Sequence, residues 1–167
     1  MKKNIIINTV VMALLVLFSS SCKKDQEIGG TAVQNLAGDW YVKVNGTGPY
    51  ITLSTYNTAA NLSTEMWLQS TGLKSGTVAL GVKGKVAVDA NAQTFTGTNV
   101  ANVASTSTTI PTFNVANGKV VSNGTTGPVS KTPTDLISLD ITINGVTYKV
   151  EGFHKTGFQV DDPANMK

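Results

Sequence analysis

From Leu36 onward, apolar and polar residues alternate with a period of two, and no stretch holds the 3.6-residue period of a helix for long. Trp40, Val42 and Val44 share one face of a first strand, Tyr41 and Lys43 the other, and Asn45-Gly46 supplies a turn. Residues 50–57 and 64–70 read as the next two strands, the second carrying Met66, Trp67 and Leu68, with a polar loop at 58–63. The longest alternating run, 77–89, sets Val78, Leu80, Val82, Val86 and Val88 against Lys83, Lys85 and Asp89. Gly84 falls on its apolar face, where a glycine permits a sharp bend or leaves room for something else. Residues 94–100 follow around Phe95, and the small, polar, low-complexity stretch 101–109 predicts a mobile loop. Residues 112–115 and 119–122 flank Asn117-Gly118, a strong hairpin signal, and 124–134 reads as loop.

The last hairpin is the best specified. Ile137, Leu139, Ile141 and Ile143 alternate with Ser138, Asp140 and Thr142, and Asn144-Gly145 fits a two-residue type I′ turn. That turn sets Ile143 opposite Val146, Ile141 opposite Tyr148 and Leu139 opposite Val150. It also pairs Thr142 with Thr147 and Asp140 with Lys149, each a favourable cross-strand pair of about 0.2–1 kcal/mol. One register satisfies both faces. Eight or nine short antiparallel strands joined by tight links predict an all-β fold. A closed up-and-down barrel of about eight strands is the first expectation and a β-sandwich the alternative. An eight-stranded barrel is just wide enough to hold one small ligand.

The front of the chain has a different pattern. Met1-Lys2-Lys3 is followed by an almost wholly apolar run from Ile5 to Phe18 and then by Ser19-Ser20-Ser21-Cys22. A positive start, a short apolar stretch and small residues before a cut describe a secretory signal, and the run is too short for a span that needs about 20 residues. Cys22 is the only cysteine, so no internal disulfide or multi-thiolate metal site is available. Its setting resembles the lipobox of bacterial lipoproteins, in which the cysteine is diacylated, with Ser19 where Leu is usual and Ser21 where Gly or Ala is usual. Two or three acyl chains give stable anchoring where one is marginal. The charged run Lys23-Lys24-Asp25-Gln26-Glu27 resembles a surface-export signal of Bacteroidetes lipoproteins; read without that likeness, it is a solvated tether. The expected organisation is a signal peptide at 1–21, a lipid-attached flexible tether at 22–35 with a reach of about 20 Å, a barrel domain at 36–160 and a tail at 161–167.

Processing changes the charge picture. Of 13 basic residues, Lys2 and Lys3 leave with the signal, so 11 face 10 acidic ones. A near-neutral domain gives no electrostatic reason to expect nucleic acid. The chain has no arginine, the preferred fork for carboxylates and phosphates.

Several pieces, in chain order, resemble one family. Gly38-Asp39-Trp40 is similar to the G-x-W that opens lipocalin-like barrels. More specifically, a set of segments resembles the Bacteroidetes lipoproteins called "lipid-binding putative hydrolases". They are Leu36-Ala37-Gly38-Asp39-Trp40, Tyr56-Asn57-Thr58 with Glu65-Met66-Trp67-Leu68, Asn117-Gly118-Lys119-Val120, Asp135-Leu136-Ile137, Tyr148-Lys149-Val150-Glu151-Gly152 and Lys155-Thr156-Gly157-Phe158. The resemblance implies a lipocalin-like (calycin-type) barrel on the bacterial outer membrane and a lipid-like ligand. Lipocalins place an arginine over the first-strand Trp; here the resemblance offers only Lys155 as the cation over Trp40.

Candidate chemistry is sparse. His154 is the only histidine, so any Ser-His-Asp arrangement must pass through it. Strict alternation from Val146 turns it inward; a bulge at Gly152 would turn it out. No serine sits in a G-x-S-x-G elbow. Asp161-Asp162 before Pro163 reads as a solvated tail, and Asp140 as the partner of Lys149. No His/Cys cluster has metal-ligand spacing, and no cofactor is expected. Trp40, Tyr56, Trp67 and Tyr148, with Gly84, are the candidate lining of an apolar pocket, against core packing as the plainer reading. The expected function is a membrane-anchored barrel, attached through acylated Cys22, that binds a small apolar or amphipathic ligand. One alternative is an esterase-like hydrolase. The other is a surface module that meets a partner lipoprotein or glycan through loops 101–109 and 124–134.

Overall fold

The computed structural model describes residues 29–166. Ten strands follow in order: β1 (Gly38–Val44), β2 (Thr47–Asn57), β3 (Glu65–Ser70), β4 (Lys74–Ser75), β5 (Val78–Ala79), β6 (Val82–Asp89), β7 (Thr94–Ala101), β8 (Thr112–Thr126), β9 (Pro133–Ile143) and β10 (Val146–His154). A single 3₁₀ turn, Gln159–Asp161, comes last. Eight of the strands close into an antiparallel barrel in the cyclic order β1-β10-β9-β8-β7-β6-β3-β2, and β4 and β5 form a separate two-stranded ribbon. Closure satisfies every barrel edge, which an open sheet of the same strands would leave unpaired.

The strand phase follows the alternation. In β3, Met66, Leu68 and Ser70 are buried while Glu65, Trp67 and Gln69 are half-buried. In β9, Ile137, Leu139, Ile141 and Ile143 point in. The β9–β10 register has the expected form: Ile143 faces Val146, Ile141 faces Tyr148, Leu139 faces Val150 and Thr142 faces Thr147. The two threonine hydroxyls lie 2.9 Å apart. Asp140 faces Lys149, but its carboxylate accepts instead from Asn117 Nδ2 at 2.7 Å.

Asn117-Gly118 does not make the expected hairpin. β8 runs straight through it for 15 residues, paired on one side with β7 and on the other with β9. The dipeptide forms a bulge, with Asn117 in the left-handed region at φ 53°. Inward positions step from Phe113 and Val115 to Gly118 and Val120, so one extra residue is absorbed and the core face is kept. Gly118 lies directly against the Phe95 ring and carbonyl, where a Cβ has no room. Neighbouring strands on both sides already supply partners, so the turn-forming dipeptide has no reason to fold back.

The run 77–89 is also not one strand. Val78 is exposed in the β4–β5 ribbon, and regular pairing with β3 starts only at Val82. Leu80 N–H donates to the Leu73 carbonyl at 2.8 Å and folds the ribbon back. The stretch 124–134 is shorter as a loop than expected, because β8 extends to Thr126 and β9 begins at Pro133. The loop after β7 is pinned: the buried Asn102 side chain donates to the Ile110 carbonyl at 2.9 Å and accepts from Lys83 N–H at 3.0 Å. Before β1, Val33 and Leu36 are buried in the core cluster, so the flexible coil expected to reach Asn35 is fixed sooner. Cys22, the apolar run and the charged run lie outside the described residues.

Candidate functional site

The barrel interior is packed with its own side chains. Leu53, Met66, Leu68, Val82, Ile137 and Ile141 expose no surface, either to bulk solvent or to any internal space that could admit water. At the floor, Trp40 is 1% exposed. Its Nε1–H donates to Thr55 Oγ1 at 2.9 Å, and the Thr55 hydroxyl donates to the Leu36 carbonyl at 2.5 Å. This relay satisfies the indole in the core and ties the segment before β1 to β2.

Gly84 sits inside as expected, but it does not border a pocket. A Cβ there would run into Val100, Phe113 and the Ala101 carbonyl. The missing side chain makes space for large neighbours from β7 and β8. Tyr148 is half-buried against the core. The structure therefore does not bring the five candidate pocket residues together. Trp40, Gly84 and Tyr148 belong to the inner face, while Tyr56 and Trp67 stand on the outer wall. Thr55, Met66 and Leu68 occupy the inward positions beside them, so alternation sends both aromatics out.

His154 faces in and pairs with Trp40 across β10 and β1. Its ring meets the indole edge-on, with centroids 5.0 Å apart, over the space left by Gly38. Lys155 does not cover Trp40: it lies 4.8 Å from the Tyr41 ring and 3.7 Å from Asp39. Phe153 is on the outer face, against Tyr41 and Tyr50. Asp161 overturns the solvated-tail expectation. It is 1% exposed and accepts from Val129 N–H at 2.9 Å, Ser130 N–H at 2.8 Å, the Ser130 hydroxyl at 2.5 Å and the Thr156 hydroxyl at 2.7 Å. Burial alone pushes its carboxyl up, but the hydrogen bonds from Ser130, Thr156 and Val129 outweigh that and hold it well below the usual range. No histidine joins this cluster, so it clamps the β8–β9 loop to the C-terminal segment. Asp162 next to it accepts from the Tyr41 hydroxyl at 3.1 Å. Little in the local sequence marks Asp161 as buried: of its partners only Thr156 is near in the chain, while Ser130 and Val129 lie 31 and 32 residues away.

A cleft of about 280 Å³ opens where β3 ends and β6 begins. Gln69, Ser70 and Thr71 form one wall, Gly81 to Lys83 another, and Ala104 to Thr106 the third. The Thr106 hydroxyl donates to the Gly81 carbonyl and closes the back. Beside it on the outer wall, Tyr56 and Trp67 are cross-strand neighbours with rings 26° from parallel and 6.5 Å apart. Lys83 Nζ lies 5.8 Å from the Tyr56 ring and 5.5 Å from the Trp67 ring. The Tyr56 hydroxyl donates to Gln69 Oε1 at 3.0 Å. Gln69 and Lys83 thus belong to both the cleft and the aromatic strip. Among the described residues, no group of His, Cys, Asp or Glu is arranged to hold a metal ion.

The family model described as lipid-binding putative hydrolase matches residues 25–159, which takes in every strand of the barrel. No curated protein matches the chain.

Proposed function

Because the chain belongs to the lipid-binding putative hydrolase family, we propose that it is a lipid-anchored binding protein of the bacterial outer membrane. In this reading, acylated Cys22 holds the barrel close to the bilayer, and the barrel binds a small amphipathic, lipid-like molecule without cleaving it. The observation that carries the binding reading is the family match over a closed eight-stranded barrel. With the interior filled, this reading puts the ligand on the outer surface rather than in the lumen, where lipocalin-like binding would put it. The non-hydrolytic reading is supported by His154, whose ring is spent against Trp40 and Gly38 rather than set beside a hydroxyl. It is also supported by the Ser130–Asp161 pair, which lacks a base between its members.

Native mass spectrometry of the protein purified from its own membranes tests the proposal. A retained lipid-sized mass, lost on organic extraction, is the expected result. A bare protein that also binds no amphiphile would overturn it. Turnover of acyl esters that disappears in His154→Ala would restore the hydrolytic alternative.

A further inference from the structure

We propose that the cleft between β3, β6 and the β7–β8 loop is the ligand site, and that it selects amphiphiles with an anionic head, a carboxylate or a phosphate monoester. This deepens the binding function proposed above and rests on it. The cleft presents donors and no carboxylate. Lys83 carries its only charge, and the ion pairs among the described residues are Lys85–Glu65 and Lys155–Asp39, which leaves Lys83 without an acidic partner. The carbonyl oxygen of Gln69 is engaged by Tyr56, so its NH₂ is the end left to donate.

An anion beside Lys83 gains charge-assisted hydrogen bonds. An amine or a second cation would meet Lys83 with like charge. The volume has room for about nine or ten water-sized or methylene-sized groups, enough for a head and a short stem. Tyr56 and Trp67 continue the surface as an apolar strip for the rest of a chain. That Lys83 already rests near both rings places the cation where the head must stop and the chain begin.

The test uses the mature chain carrying Cys22→Ser, with Trp67 as the reporter, because Trp40 is sealed in the floor. Octanoate, octyl phosphate, octylamine and inorganic phosphate are titrated separately. Octanoate and octyl phosphate should shift the emission of Trp67, and octylamine should not. A response to inorganic phosphate equal to that of octyl phosphate would reassign the cleft to the free anion and overturn the amphiphile part. Lys83→Gln should weaken octanoate about tenfold or more, the loss of one charge-assisted hydrogen bond. Lys149→Gln, an exposed lysine on β10, should leave octanoate binding unchanged. Ala104→Phe, which fills the cleft from a loop position, should abolish it while leaving the unfolding midpoint in place. Octanoate binding indifferent to both Lys83→Gln and Ala104→Phe would overturn the site. If the protein from its host still carries a lipid in that case, the binding function stands and only its location falls. If no amphiphile of any head group binds and no lipid is retained, both fall together.

Discussion

Removing the Asp161 carboxylate should open the clamp between the β8–β9 loop and the C-terminal segment. In Asp161→Ala, the N–H groups of Val129 and Ser130 and the hydroxyls of Ser130 and Thr156 lose a shared, charged acceptor. Each hydrogen bond to a charged group contributes about 1.5–3 kcal/mol. The two hydroxyls can turn to other partners and water can enter a loop site, so the cost is closer to that of two bonds than four, about 3 kcal/mol. For a domain of this size, that is a fall of about 10 °C in midpoint. Urea unfolding of the mature Cys22→Ser chain, with and without Asp161→Ala, measures it directly. Asp161→Asn keeps the shape and one acceptor and should cost less, about 1–2 kcal/mol near neutral pH. Its second signature is pH dependence. The folded pKa of Asp161 lies below its ordinary 3.8, so its contribution is fully present above that value and is lost as pH falls through the folded pKa. The gap between wild type and Asp161→Asn should therefore narrow between about pH 5 and about pH 2. An Asp161→Ala chain within about 0.5 kcal/mol of wild type, as for an ordinary surface change, would refute the clamp, as would a gap that stays constant with pH.

Three further outcomes follow from the packing and the anchor. Gly84→Ala should destabilise the barrel by about 1–3 kcal/mol through overpacking against Val100 and Phe113; a neutral or stabilising effect in the same urea assay would mean the interior has slack. Thr55→Val should cost about 2–3 kcal/mol, because it strands the Trp40 N–H and the Leu36 carbonyl, and red-shifted Trp40 emission should mark the loosened floor. Cys22→Ser should leave the barrel folded and move it from the membrane fraction to the soluble fraction; retention in the membrane would remove the lipid-anchor proposal.

Much of the barrel was legible along the chain because a strand side chain has only two choices of face. The alternation in β9 and β10, with Asn144-Gly145 between them, specified a register in which every pair is correct. The same rule carried the information that Trp67 points outward, since Met66 and Leu68 claim the inside; reading the aromatics together as a pocket set that phase aside. His154 also obeyed strict alternation, with no bulge at Gly152 to turn it. The signal at Asn117-Gly118 misled because it is local, whereas β8 is held by β7 and β9 on either side and the dipeptide yields to a bulge.

The sequence by itself determined the last hairpin, the all-β class and the inward and outward faces of most barrel strands, because each depends on residues close together or on a two-residue period. Tertiary structure alone decided that the lumen is full, that Gly84 yields its space to Val100 and Phe113, and that Asp161 is a buried clamp. It also decided that the open cleft lies on the outer rim. Those outcomes depend on which side chains meet across strands distant in the chain, and on how closely they fill the space between them.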